Sequence, residues 1–117
     1  MVAQNNIEHL KGNEFMGRVF EFISSDTSVF NFSDAEPKIQ LKKSPKEEAV
    51  LTWTEGNGLT ILSRTATTIR FQIDPQVITL YPFKYVYDIL MDMTIGGPKT
   101  WLGGTFHIVD TVTQKIP

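Results

Sequence analysis

Thirteen acidic residues and two histidines are the groups in this 117-residue chain that could do acid–base or metal chemistry. Their spacing decides whether they do. The imidazoles of His9 and His107 are a general base or a metal ligand in the functional reading. A zinc site takes three or four ligands at matched spacing, and two distant histidines in a chain without cysteine do not supply them. His107 lies in TFHIVD, opposite in face to Phe106 and Ile108, and reads as a surface-facing strand residue. His9 lies in a polar stretch with no partner that spacing identifies. Asp88, Asp92 and Asp110 form the second set. Three carboxylates could bind calcium or act as an acid/base pair. Calcium loops of the DxDxDG type are absent, so these residues read as solvated charges on a β-surface. No GxSxG elbow is present, and no serine has a histidine and an aspartate at recognisable positions. Gly96-Gly97-Pro98 reads as a hairpin turn. Gly103-Gly104 sits within a strand, where glycine marks a bulge or a close backbone approach. Neither precedes a helix, which phosphate binding requires. The residues therefore nominate no catalytic, cofactor-binding or metal-ligating site.

Other groups bear on binding. Trp53 falls mid-strand and reads as core. Trp101 starts its strand beside a turn, and its exposure is open. With Tyr81 and Tyr85 it would make a sugar-stacking platform if the rings line a groove; buried rings would remove that platform. Lys38, Lys42, Lys43 and Lys46 gather around one loop, offset by Glu47 and Glu48. They read as a solvated loop or a lysine-protected edge strand, not a nucleic-acid patch.

The elements that must position these residues are strands. In Phe83–Met93, residues Phe83, Tyr85, Tyr87, Ile89, Met91 and Met93 alternate with Lys84, Asp88 and Asp92, with Val86 and Leu90 as apolar exceptions. This is a long half-buried strand, and the Gly-Gly-Pro turn returns it as the second arm of a C-terminal hairpin. Phe15–Ile23 is a strand whose inward face is open: Phe20 and Phe22 point one way, Val19 and Ile23 the other. A turn-rich connection, with a short VFNF piece inside, leads to Lys38–Lys42, with Ile39 and Leu41 inward. Ala49–Thr54 places Ala49, Leu51 and Trp53 on one face. Glu55-Gly-Asn-Gly predicts a hairpin turn returning through Leu59–Ser63. Thr67–Ile73 puts Ile69, Phe71 and Ile73 inward. Asp74-Pro75 reads as an N-cap with proline at the first helical position, with room for one turn before Pro82. About seven strands with turn signals every eight to twelve residues predict an antiparallel β-sandwich, Ig-like or jelly-roll-like. Residues 1–13 form a flexible or extended arm, and 14–117 one sandwich domain.

The totals narrow the class. A 41% apolar content suffices for a core at this length. A net charge of −2 offers no electrostatic footprint for nucleic acid or an anionic membrane. No apolar run reaches the roughly 20 residues that span a bilayer. The N-terminus lacks the basic and apolar regions of a secretory signal. The absence of cysteine suits assembly in a reducing cytoplasm.

The order of signals resembles a set of small β-domains from tailed bacteriophages and prophages, including the N-terminal domain of siphophage upper baseplate proteins. The residues that carry the resemblance are KGNEF at 11–15, FSDAEPKIQLKK at 32–43, LTWTEGNGLTIL at 51–62, TTIRFQIDP at 67–75, YVYDILMDM at 85–93 and LGGTFHIVDTVTQ at 102–114. Tyr87-Asp88-Ile89 and GTFHIVDTVT match best. KGNEF departs from the family's KGDTF-like start, and QKIP from its closing arginine. The resemblance implies a virion structural protein of tail, neck or baseplate, not an enzyme, with no cofactor and no site residue to carry over. It implies other virion proteins and further copies of the chain as partners, and a location in the virion after synthesis in the host cytoplasm. The alternative reading is a carbohydrate-binding β-sandwich module.

Overall fold

The structure, a computed structural model, describes residues 3–4, 6–11 and 14–109. The described chain is nearly all β, and the expected all-β sandwich-like fold is what forms. Its strands are β1 (Ala3–Gln4), β2 (Ile7–Leu10), β3 (Glu14–Phe15), β4 (Arg18–Ile23), β5 (Glu36–Lys42), β6 (Ala49–Glu55), β7 (Gly58–Arg64), β8 (Thr68–Ile73), β9 (Gln76–Val77), β10 (Phe83–Asp92) and β11 (Lys99–Val109). Seven of these have six or more residues, and they are the seven that alternation marks out.

One continuous path of strands runs β1-β11-β10-β5-β6-β7-β8-β4, with β2 also on β11; β3 and β9 form a separate two-stranded sheet. The path curls over itself. Rings from opposite layers meet inside, Phe22 of β4 against Trp101 of β11 at 5.9 Å, and within one layer Trp53 of β6 reaches Phe106 of β11 at 5.9 Å. The inward rows are those the period of two predicts. Ile39, Leu41, Ile69, Phe71, Ile73 and Ile89 are fully buried, as are Phe106 and Ile108. At roughly 1.5–3 kcal/mol for each large apolar side chain buried, this row is the main stabilising term.

The long hairpin is antiparallel, with Tyr87 opposite Gly104 and Ile89 opposite Leu102. A bulge then leaves Trp101 without a cross-strand partner before Leu90 meets Thr100. The extra residue turns the indole inward beside Leu102, into a ring cluster with Phe22, Phe30 and Phe32. Phe83 departs from its predicted inward row. It is 44% exposed, at the end of β10, tilted on Tyr85 at 5.2 Å.

Three further expectations are corrected, and the 24–37 connection gains a defined turn. Phe15–Ile23 is not one strand, because Gly17 (φ +94) breaks it between β3 and β4. A Cβ at Gly17 would lie 2.8 Å from the Ile73 carbonyl oxygen. The Glu55-Gly-Asn-Gly turn is no antiparallel hairpin. β6 and β7 share two pairs in parallel sense, Thr54 with Gly58 and Glu55 with Leu59, and the chain turns a corner from one layer to the other. The short VFNF piece, residues 29–32, forms no strand and leads into a 3-10 turn, Phe32–Asp34, capped by the Asn31 side chain, and Phe32 is fully buried. Asp74 caps no helix. Its N–H donates to the Gly58 carbonyl at 2.8 Å, and its carboxylate accepts from Thr60 Oγ1 at 2.6 Å and Gln72 Nε2 at 3.2 Å. With the cap so used, Gln76 and Val77 extend and pair with β3.

Candidate functional site

The residues singled out for chemistry are dispersed. His107 is half-buried in β11, opposite Lys84 of β10 and Glu8 of β2. His9 is not a solvent-facing arm residue. β2 carries it inward, where it is buried and edge-on to Phe15 at 5.4 Å. Asp88 and Asp92 share the outer face of β10, as alternation predicts, and Asp110 lies outside the described residues. Among the described residues no group of three or more His, Cys, Asp or Glu is placed to hold a metal ion.

A groove of about 450 Å³ crosses the outer face of β5, β6 and β10 and is lined by Glu36, Lys38, Glu55, Leu90, Asp92 and Pro98. Glu36 and Asp92 are register partners, and like charges directly opposite repel. Glu55 is held by Arg64 at 2.9 Å. The three carboxylates are exposed, so this is a solvated strip along a sheet face. At its end Asp34 accepts hydrogen bonds from the Thr94 hydroxyl and, at 3.3 Å, from the Thr94 N–H. Those bonds hold the Asp34 carboxyl below the usual carboxylate range.

The aromatic residues divide clearly. Tyr85 is 1% exposed and its hydroxyl donates to the Tyr81 carbonyl at 2.8 Å. Trp101 meets three phenylalanine rings and Lys99 Nζ, 5.2 Å from its centroid. Tyr81 is exposed, on a different segment. The three do not line one groove. Trp53 is core, and its Nε1 donates to Gln76 Oε1 at 3.1 Å. The lysine cluster protects no edge. β5 is central, between β10 and β6, with Lys38 and Lys42 half-buried and Lys43 and Lys46 exposed in the loop that follows.

What the fold brings together are strand edges. On one side, β1 and β2 lie parallel along β11, with Ala3 opposite Leu102, Ile7 opposite Phe106 and His9 opposite Ile108. The Thr105 N–H donates to Asn6 Oδ1 at 3.1 Å, the Lys11 N–H to the Val109 carbonyl at 2.9 Å, and Lys11 Nζ to the Leu80 carbonyl at 3.1 Å. The arm is thus an added strand with Ile7 in the core. On the other side, β4 ends the sheet. Its outward residues Val19 and Ile23 are 46% and 69% exposed, and Met16 just before it 79%. The second apolar row of FMGRVFEFI, Val19 and Ile23, was legible in the sequence, but that it faces solvent at the end of the sheet was not.

No family model matches the chain, and a search of curated proteins likewise finds no match. Among solved structures it is similar to a chain from a structure-based photo-crosslinking study of multimeric cell-adhesive interactions of VGSC beta subunits. The identity is 10%, over 91% of this chain and 92% of that one, with a TM-score of 0.42. A likeness this slight carries no argument about fold or function.

Proposed function

We propose that the protein is a non-enzymatic structural component of a tailed-phage or prophage virion, in the tail, neck or baseplate, acting through contacts with other virion proteins and further copies of itself. The observation that carries this reading is the docked arm. An extended segment near the chain's start is laid along the edge of the longest hairpin by main-chain pairing and anchored by Ile7. Here the arm pairs within its own subunit; the same strand addition made between subunits is a mode by which β-domains bind one another. The resemblance of the 85–93 and 102–114 segments to phage β-domains supports the same reading. The carbohydrate-binding alternative is less favoured, because Tyr85 and Trp101 are engaged in packing and do not form a stacking platform.

Mass spectrometry of particles purified from the host that carries the gene tests the role. The chain is expected at a fixed ratio to known structural subunits after density-gradient purification. Its absence from intact particles would refute the virion reading. A specific hit on a glycan array, lost on substitution of Trp101, would favour the binding module instead.

A further inference from the structure

The uncovered edge of β4 has a defined hydrogen-bonding phase. The Ser24 N–H donates to the Thr67 carbonyl at 2.7 Å, one step beyond the last register pair, Ile23 with Thr68. In an antiparallel ladder, residues that bond to the neighbour alternate with residues whose N–H and C=O point away. The even-numbered residues of β4 therefore bond to β8. Val19, Glu21 and Ile23 turn their N–H and C=O groups outward, where no described strand pairs with them. Natural edge strands resist pairing through proline, a bulge, charged side chains or an inward-pointing charge. β4 has no proline, its register with β8 is unbroken, its inward residues are Phe20 and Phe22, and of these devices it carries only the charges of Arg18 and Glu21.

We infer that β4 is a self-association edge, and that its occupant is β4 of a second copy, antiparallel about a two-fold axis at Glu21. The sequence of the outward row is self-complementary in that register. Val19 falls opposite Ile23 of the second copy, and Ile23 opposite Val19, so the two exposed apolar side chains of each copy cover one another. Glu21 falls opposite itself. That like-charge pair at the axis weakens the contact, and Arg70, the register partner of Glu21 on each copy's own β8, offsets it, so the apolar Val19–Ile23 pairs and the main-chain bonds supply the attraction. The three outward positions exchange main-chain bonds in both directions, and the sheet continues across the axis as an isologous contact. This inference does not depend on the virion reading.

The absence of cysteine in the chain makes the test direct. In the proposed register the two Glu21 Cα atoms are about 5.5 Å apart, within the span a disulfide bridges. Under mild oxidation the full-length Glu21→Cys variant is expected to form a covalent dimer. Arg70→Cys, one strand away, is expected to stay monomeric. In sedimentation equilibrium the unmodified chain is expected to dimerise with concentration. Val19→Lys/Ile23→Lys should weaken that dimer at least tenfold while the far-UV spectrum and melting temperature stay unchanged, since both side chains are exposed. A chain that is monomeric throughout the series would overturn the inference. So would a dimer that the double lysine variant leaves intact, or equal cross-linking at positions 21 and 70. Each of these results leaves the presence of the protein in particles undecided, so the two proposals fail separately.

Discussion

Replacing Gly58 with alanine should cost far more than the same change at Gly56, two residues away in the same corner. Both glycines have positive φ, +79 at Gly56 and +100 at Gly58. An L-residue there pays on the order of 1–2 kcal/mol in either position. The surroundings differ. A Cβ at Gly56 meets nothing within 4 Å, whereas one at Gly58 would lie 2.3 Å from Trp53 Cδ1 and 2.8 Å from Cγ. Carbon atoms pack at about 3.5–4.0 Å, so the indole or the corner must move. The indole is 2% exposed, packed on Phe106 and tethered to Gln76. Overpacking of this kind costs about 1–3 kcal/mol, and losing the indole hydrogen bond about 1 more. Gly58→Ala is therefore expected to destabilise by about 3–6 kcal/mol and Gly56→Ala by about 1–2 kcal/mol. Against a total of roughly 5–15 kcal/mol, the first loss is severe. Equilibrium urea unfolding, followed by tryptophan fluorescence and circular dichroism, measures both. In a Trp53→Phe background the smaller ring should reduce the Gly58→Ala penalty, a coupling of about 1 kcal/mol or more. Equal costs at the two glycines, or no coupling to Trp53, would refute the view that this corner is built around the indole.

Three other perturbations have defined outcomes. Ile89→Ala, at a fully buried position of β10, should lower unfolding free energy by about 2–5 kcal/mol, read from the urea midpoint at constant m-value. Burial pushes the Tyr87 phenol up to about 12, against an opposing pull from Arg18. Its contribution is therefore complete below the unfolded value near 10 and lost as pH rises towards 12, so Tyr87→Phe should flatten the loss of thermal stability across that alkaline window. The Asp34 carboxyl is held low by Thr94. Its contribution is present above the unfolded carboxylate value, about 4, and lost as pH falls through the lower folded value; Asp34→Asn should shallow the acid limb of a melting-temperature profile without moving its neutral plateau.

How much of this could be read from the chain depends on what each signal encodes. The inward rows of β5, β8 and β10 were legible because period-two alternation is the physical condition for a half-buried strand. Ile39, Leu41, Ile69, Phe71, Ile73 and Tyr85 sit where alternation puts them. The corner at 55–58 was not legible. Gly-Asn-Gly permits positive φ for a hairpin and for a change of layer alike, and only the pairing of β6 with β7 separates them. Asp74-Pro75 misled for a similar reason, since a carboxylate that could cap a helix is taken by Thr60 and Gln72 on neighbouring strands. Phe32 was missed as core because a 3-10 turn carries no periodic pattern. His9 was placed in a polar arm because the arm's pairing with β11 spans nearly the whole chain length and leaves no local trace.

The two edges of the sheet bear on function together. Polar residues dominate the arm, yet two of its side chains, Ile7 and His9, are buried where it lies on β11. An edge covered in this way cannot recruit a neighbour without first releasing the arm, which would bare the flank of Phe106 and Ile108. The β4 edge demands no such release. Its outward N–H and C=O groups are already extended, and Val19 and Ile23 already meet solvent. The cost of ordering a partner strand there is offset from the first contact by main-chain bonds and apolar cover. The asymmetry assigns the two ends different work, the arm closing the subunit and β4 offering it to another. Truncating residues 1–10 should therefore lower the stability of the single subunit and leave the β4 cross-link of the Glu21→Cys variant in place; loss of that cross-link in a truncated chain that still folds would show that the arm, and not β4, carries association.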